Sequence, residues 1–262
     1  MWEYPRPPKI RQPLISGVDT ANYPTAYDEP LSGKGIARAL ASGVVKRDEL
    51  FIQSNFTPLS AHDKTKIPFN LDQKMEDQIK ESIAQTFEDL GVDSLDAFIL
   101  HAPFENEDDN VAAWKIFETY VSDKFRHLGV SNFSLAQLQK VYSNALVKPV
   151  IVQNRFQKKT VYDHEVRKFC KEHGITYQSF AMLKNNPEIL ESDVVARVAD
   201  KLSVLNGTTK VERMQKDLQM TTKVLGDGEQ LEALQPELAE WSKLLLDLAG
   251  SVKIALAEQL WP

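Results

Sequence analysis

The sequence alternates short apolar runs with longer amphipathic stretches, and this alternation limits the folds that the chain can adopt. Apolar runs of this length predict strands that are buried on both faces, as in a parallel sheet. They lie at residues 14–19, 50–54, 97–101, 127–131, 150–153 and 175–180. The amphipathic stretches predict helices, the clearest of which begins near Asn70 and ends at Gly91. Strand and helix alternate about six times, which favours a parallel α/β fold.

This alternation is compatible with a closed barrel and with an open, doubly wound sheet. The Gly-x-Gly-x-x-Gly segment of dinucleotide-binding sheets is absent after the first strand, and the 262 residues match the roughly 250 of a (β/α) barrel. Polar residues follow the apolar runs at Asp19, Asn55, His101, Ser131, Asn132 and Gln153. Helix capping or loop hydrogen bonding explains any one of them. Because active residues gather at strand ends in a barrel, their shared position on one rim predicts a functional site.

Charge and composition narrow the partners that the chain can bind. The net charge of -6 and the lack of a Lys/Arg run exclude a basic surface for nucleic acid. No apolar run approaches the ~20 residues of a membrane helix, and residues 1–13 form an irregular segment without the apolar core of a signal peptide. The single cysteine, Cys170, cannot form an internal disulfide and suits a reducing compartment. We therefore expect a cytoplasmic protein without nucleic-acid or membrane partners.

Several segments, taken in order along the chain, resemble the aldo-keto reductase family. They are GVDTAN at 17–22, the segment that begins at Tyr27, LFIQSN at 50–55, DAFILHAP at 96–103, LGVSNF at 128–133, VQN at 152–154, and the stretches 175–183 and 206–213. LGVSNF is the most specific of these segments, and the match extends from about residue 17 to residue 218. The particular residues at the variable motif positions resemble those of fungal members. The resemblance implies a (β/α)8 TIM-barrel-like fold. It also implies NADPH-dependent reduction of a small-molecule carbonyl substrate, an aldehyde or a ketone, to an alcohol.

The same resemblance implies the catalytic residues. Asp19 matches the family's aspartate, Tyr27 the tyrosine that acts as general acid, and His101 the histidine that polarises the carbonyl. Asn55 stands where the family has a lysine, whose charge lowers the pKa of the tyrosine. Because asparagine carries no charge, we predict slow carbonyl reduction or none. The alternative is a catalytically inactive cofactor-binding or interaction protein of the same family.

Neighbouring residues offer alternatives at two of these positions. Tyr23 is a second candidate for the acid, because it lies four positions after Asp19 and Tyr27 lies eight, while the commonest family spacing falls between. We favour Tyr27, because the residues behind it then match the family; they are Glu29, Gly33 and Gly35. Lys64 or Lys66, in the loop that follows, is an alternative source of the missing charge, although two solvated loop lysines are the simpler interpretation.

The cofactor contacts also follow from the resemblance. The implied residues are Ser131, Asn132 and Gln153 at the nicotinamide carboxamide, Phe180 stacked on the nicotinamide ring, and Thr208 and Arg213 at the cofactor phosphate. Asp19 is also included among the cofactor-binding residues. A helix start and an arginine favour the 2′-phosphate that distinguishes NADPH. Gly207 replaces a frequent family lysine, which predicts a weaker hold on that phosphate. We assign no metal site.

Parts of the family's barrel have no counterpart in the sequence. Residues 14–15 resemble the beginning of the first strand, but residues 16–17 lead directly into the end of the second. After Leu202, only residues 203–205 precede the phosphate loop. We therefore predict an incomplete barrel that forms one domain over residues 1–262 and lacks the first strand–helix unit and part of the last. A skipped exon or a misjoined gene model would also produce such a sequence.

The C-terminal stretch does not match the family closely. Between Leu231 and Val252, apolar residues repeat at alternating spacings of three and four, which predicts an amphipathic helix within residues 229–260. Such a helix packs on the barrel flank by default. Its coiled-coil-like seam also suits a homodimer or the covering of an open sheet edge.

Overall fold

The computed structural model describes residues 17–43, 45–63 and 66–181. Within these ranges, six strands alternate with five α-helices. They are β1 (Gly17–Asp19), α1 (Glu29–Ala41), β2 (Phe51–Phe56), α2 (Met75–Leu90), β3 (Leu95–Leu100), α3 (Glu107–Glu118), β4 (Phe125–Ser131), α4 (Leu135–Asn144), β5 (Ile151–Arg155), α5 (His164–Glu172) and β6 (Thr176–Phe180). Residues 14–15, the phosphate loop and the predicted C-terminal helix lie outside the described residues.

The strands form one sheet in the order β1-β2-β3-β4-β5-β6, so each strand lies beside the next one in the chain. Strands β1 to β5 pair in parallel, with Asp19 opposite Gln53 and Ser131 opposite Gln153. A doubly wound sheet reverses its strand order at a switch point, whereas a (β/α) barrel keeps the sequential order. The topology therefore resolves the alternative that the hydrophobic pattern left open in favour of the barrel.

A side-chain contact across the sheet shows how strongly it curves. Gln153 Nε2 on β5 donates a 2.7 Å hydrogen bond to Asp19 Oδ2 on β1, although three strands lie between them. In a flat sheet, four strand spacings of about 4.8 Å would separate these strands by roughly 19 Å. The strands therefore curve around a shared interior. This confirms the prediction of an α/β fold with an incomplete (β/α)8 barrel.

The inner strands of the curved sheet, β2 to β5, are largely buried on both faces, whereas β1 and β6 are partly exposed. On the inner face, Ala97, Ile99 and Ile151 form a small apolar cluster. Gly129 makes room for it, because a Cβ there would lie 2.5 Å from Ile99 Cδ1. On the outer face, a larger core lies between the sheet and the helices, and includes Phe98. Burial on both faces explains why the strands read as continuous apolar runs.

Local capping chemistry sets the helix boundaries. Helix α2 ends, as predicted, at Gly91, whose φ of 64° is left-handed. The prediction that α2 begins near Asn70 was wrong. Asn70 Oδ1 accepts a hydrogen bond from Asp72 N in a turn, and the helix begins only at Met75. Helix α4 begins after Ser134, whose side chain takes part in a capping box.

The chain divides into two compact units. One unit consists of Ile15–Asn154 and Glu165–Gln178, and it contains nearly all of the described sheet. In the other unit, the described residues are 155–164 and 179–181. The single domain over residues 1–262 stays a prediction. No helix in the described part of the chain is long and apolar enough to cross a bilayer.

Candidate active site

The carboxyl ends of the parallel strands bring the candidate catalytic residues to one rim. Asp19 is the last residue of β1, Asn55 is the last but one of β2, and His101 directly follows β3. Gln53 lies opposite Asp19 in register, and Gln53 and Asn55 face the same side because side chains alternate along a strand. The rim is therefore lined by an acid and several amides on the inner face of the curve.

Asp19 accepts hydrogen bonds only from uncharged donors among the described residues. Gln53 Nε2 and Asn55 Nδ2 donate to Oδ1 at 2.9 and 3.0 Å, and Gln153 Nε2 donates to Oδ2 at 2.7 Å. Gln178 Oε1 accepts from both glutamines and completes the network. Burial raises the pKa of Asp19 above 3.8, and the three hydrogen bonds oppose that rise. The carboxylate is thus hydrogen-bonded but has no positive partner in the described part of the chain.

Asn55 provides an amide where the resemblance expects an ammonium group. Its Nδ2 also donates to the backbone oxygen of Thr20, and its Oδ1 is buried without a partner among the described residues. The reversed amide would place its oxygen against two acceptors, so these hydrogen bonds fix the orientation. Lys66 is exposed, and Lys64 lies outside the described residues. The position therefore supplies hydrogen bonds to Asp19 but no charge.

Both candidate tyrosines border His101. The rings of Tyr27 and Tyr23 meet the imidazole edge to face, with centroids 5.8 and 6.1 Å away. Burial raises the pKa of Tyr27 above its ordinary 10.0, and the negative charge of Asp19 raises it further. Ring geometry alone leaves both tyrosines as candidates. The influence of Asp19 on Tyr27 favours Tyr27 as the residue coupled to the carboxylate.

His101 is held on its backbone and on its ring. Its backbone N–H donates to the Phe56 oxygen at 2.9 Å, and its Nδ1 lies 2.7 Å from Thr57 Oγ1. Burial, with a smaller contribution from nearby His62, lowers the pKa of His101 to about 4. The imidazole is therefore neutral near pH 7. Thr57 was not predicted as a site residue, because the apolar run at 50–54 is followed by Asn55, and only the strand bounds place Thr57 directly after β2.

The LGVSNF segment forms the last residues of β4 and the bend that follows them at Asn132. Asn132 adopts a left-handed φ of 61°, and its Nδ2 donates to the His101 oxygen at 2.9 Å and to Ser131 Oγ at 3.1 Å. Asn154 accepts from Phe133 N and donates to Phe133 O. These bonds tie the turn to β5 and to the residue after β3. Asparagine tolerates a positive φ better than most residues, which explains why this residue type suits position 132 of the motif.

The donor and acceptor groups at this rim fit a nicotinamide carboxamide. A primary carboxamide offers two N–H donors and one oxygen acceptor. Among the described residues, no hydrogen bond reaches Gln153 Oε1 or Asn132 Oδ1, and Ser131 contributes a hydroxyl. Two amide oxygens therefore have no partner among the described residues, and the buried Ser131 hydroxyl lies beside one of these amides.

The remaining predicted cofactor residues are Phe180, Thr208 and Arg213. Phe180 ends β6, and its ring lies under the guanidinium of Arg155, with Cζ 4.9 Å from the centroid. Stacking of Phe180 on a nicotinamide stays a prediction. Thr208 and Arg213 lie outside the described residues, so the hold on the phosphate also stays a prediction.

Comparisons with known proteins agree with this fold. The model of the aldo/keto reductase family matches residues 15–186. A yeast (Saccharomyces cerevisiae) NADPH-dependent alpha-keto amide reductase is 28% identical over 183 residues, which cover 66% of this chain and 52% of that protein. A Bacillus subtilis glyoxal reductase is 28% identical over 169 residues, which cover 64% of this chain and 55% of that protein. The chain thus spans just over half the length of these relatives.

The crystal structure of a Bombyx mori aldo-keto reductase in complex with NADP superposes with a TM-score of 0.60 at 21% identity, covering 85% of this chain and 78% of that one.

Proposed function

Because the chain belongs to the aldo/keto reductase family, we propose that it is an NADPH-dependent oxidoreductase that reduces a small aldehyde or ketone to an alcohol, slowed by Asn55. The observation that carries this proposal is the grouping of Tyr27, His101 and Asp19 at one rim. Proteins similar to this chain are named for the reduction of a keto amide and of glyoxal, which supports a small carbonyl compound as the substrate.

In this proposal, each residue that contacts the cofactor or the carbonyl has one role. Ser131, Asn132 and Gln153 hold the nicotinamide carboxamide, and NADPH, when bound, supplies the hydride that adds to the carbonyl carbon. His101 is neutral and donates a hydrogen bond to the carbonyl oxygen, which polarises the C=O bond. As that π bond breaks, Tyr27 transfers its hydroxyl proton to the oxygen and forms the alcohol. The resulting tyrosinate regains its proton from water.

The weak step is the proton transfer from Tyr27. General acid catalysis is most effective when the pKa of the acid lies near the working pH. Burial and the Asp19 charge move the pKa of Tyr27 away from that range. A lysine at position 55 would place a positive charge beside Asp19, offset the carboxylate charge that acts on Tyr27, and so favour the tyrosinate. With Asn55, the tyrosinate is instead formed beside a carboxylate.

The test compares the unmodified chain with Asn55→Lys and Asn55→Met. Methionine has a long, flexible side chain without charge, so it separates the effect of charge from that of side-chain size. We expect Asn55→Lys to raise kcat on a panel of carbonyls by roughly 10- to 100-fold, and Asn55→Met to give no gain. NADPH binding, followed by fluorescence titration, verifies that each variant retains its cofactor site. Equal rates for all three proteins at equal NADPH binding would contradict the proposal.

The second candidate function is a catalytically inactive, cofactor-binding protein of the same family. The specific observation in its favour is the uncharged Asn55 beside Asp19. NADPH binding with no turnover, both in the unmodified chain and in Asn55→Lys, would support this alternative and contradict the reductase.

A further inference from the structure

Thr57 directly follows β2 and lies beside the histidine that follows β3. Its Oγ1 is 2.7 Å from His101 Nδ1, and only 2% of the residue is exposed. The His101 backbone is anchored independently, because its N–H donates to Phe56 O and its oxygen accepts from Asn132 Nδ2. Among the described residues, the threonine hydroxyl is therefore the group that hydrogen-bonds to the imidazole ring, whose other neighbours include the rings of Tyr23 and Tyr27.

The surroundings determine the direction of this hydrogen bond. His101 Nδ1 is the only hydrogen-bond partner of the Thr57 hydroxyl in the described part of the chain. If Nδ1 carried the hydrogen and donated it, the buried threonine O–H would have no acceptor, which is costly. If the hydroxyl donates, Nδ1 accepts and both groups are satisfied. The contact therefore favours an imidazole with its hydrogen on Nε2.

The position of that hydrogen matters because the ring is neutral. Burial, with a smaller contribution from His62, lowers the pKa of His101 to about 4. A neutral imidazole has a single N–H, so it donates from Nε2 or from Nδ1 but not from both. Thr57 occupies Nδ1, which leaves Nε2, on the opposite side of the ring, for a substrate.

We propose that Thr57 is a positioning residue that holds His101 as the Nε2–H tautomer and so makes it a hydrogen-bond donor to the carbonyl oxygen. This inference rests on the proposed function. Thr57 itself does not touch the reacting atoms and acts through the ring of His101. A threonine with a merely structural role at the end of β2 would leave the tautomer of His101 unchanged when its hydroxyl is removed.

The test removes the hydroxyl while keeping the side-chain shape. Thr57→Val is nearly isosteric, Thr57→Ser retains the hydroxyl as the matched control, and Thr57→Ala is a second variant without it should the valine protein fail to fold. Long-range ¹H–¹⁵N correlation spectra report which ring nitrogen carries the hydrogen. The chain has five histidines, so His101→Gln identifies the His101 signals. Rates are measured in parallel, with and without Asn55→Lys.

We expect the unmodified chain and Thr57→Ser to show the Nε2–H tautomer. Thr57→Val should show a mixture that includes Nδ1–H, and its kcat should fall roughly 10- to 100-fold while KM changes less. Hydrogen on Nδ1 in the unmodified chain, or an unchanged tautomer in Thr57→Val, overturns the inference. If no carbonyl is reduced even with Asn55→Lys, the proposed function fails. The tautomer spectra still decide whether Thr57 positions His101.

Discussion

The Asn55 amide and the Asp19 carboxylate, on neighbouring strands, are joined by a 3.0 Å hydrogen bond. Two glutamine amides complete the donors around the same carboxylate. Amide dipoles stabilise this partly buried acid without neutralising it. Its charge therefore acts on the hydroxyl of Tyr27, whose pKa is raised by burial and by Asp19.

We predict that Asp19→Asn lowers the pKa of Tyr27, because the substitution removes the negative charge that opposes tyrosinate formation. Burial still acts on the hydroxyl, so the pKa stays above its ordinary value. The measurement is a titration of tyrosinate absorbance between pH 8 and 12. The chain has seven tyrosines, so the Tyr27 signal is taken as the difference from a Tyr27→Phe protein. A pKa that stays constant or rises would show that the Asp19 charge does not reach Tyr27.

The alternation of strands and helices and the rim of polar residues were predictable, because they depend on period and position along the chain; the strand order was not, because the same pattern fits a doubly wound sheet. A buried parallel strand has a continuous apolar run, and the residue after it lies at the carboxyl end of the sheet. Asp19, His101 and Ser131 could therefore be assigned to one rim without coordinates.

The partners of these residues were not predictable, because they depend on the curvature of the sheet. Nothing in the sequence links Gln153 to Asp19, which lie 134 positions apart. The hydrogen bond from Thr57 to His101 likewise joins the ends of two strands that become neighbours only in the sheet. The start of α2 was misplaced because Asn70 caps a turn as readily as a helix.

We predict that Glu29 makes the fold less stable as the pH rises. Glu29 is buried and accepts hydrogen bonds from Ser54 Oγ at 2.6 Å and Thr86 Oγ1 at 3.0 Å. Burial, together with the charge of Asp89, raises its pKa from 4.5 to about 7 against the effect of these bonds. Because the folded pKa exceeds the unfolded one, the contribution of Glu29 is fully present below pH 4.5 and is lost as the pH rises to about 7.

The variant Glu29→Gln tests this dependence, because it removes the charge and keeps the shape. The free energy of unfolding is measured in urea at pH 5 and at pH 8. From pH 5 to pH 8, it should fall by roughly 2 kcal/mol less in Glu29→Gln than in the unmodified chain. Glu76→Gln, on the exposed side of α2, is the control and should leave the difference unchanged. An identical pH dependence in Glu29→Gln and the unmodified chain would contradict the prediction.

We predict opposite effects of alanine at two glycines of α1. A Cβ on Gly33 would lie 2.1 Å from the Asp89 backbone oxygen and 2.8 Å from Leu90 Cα, so α1 and α2 would have to separate. At Gly35, the added Cβ would meet nothing within 4 Å. Gly33→Ala should therefore destabilise the fold by about 1–3 kcal/mol, and Gly35→Ala should stabilise it by about 0.5–1 kcal/mol through helix propensity. Thermal unfolding of the two variants is the measurement, and equal shifts would show that the helices do not pack closely at Gly33.

Asp96, by contrast with Asp19, is a buried acid with cationic partners. Arg47 and Arg126 contact its two oxygens at 2.8 and 2.9 Å, and Ile52 N donates to it at 3.0 Å. We predict that Asp96→Asn destabilises the fold by roughly 2–3 kcal/mol. This is less than the 3–5 kcal/mol of a broken fully buried pair, because both arginines are partly exposed to water. Asp96 lies near the amino end of β3, away from the carboxyl-end rim, so NADPH affinity should be unchanged in the folded variant. Urea unfolding and NADPH titration on the same protein separate the two effects, and a loss of affinity without a loss of stability would contradict this division of roles between the two ends of the sheet.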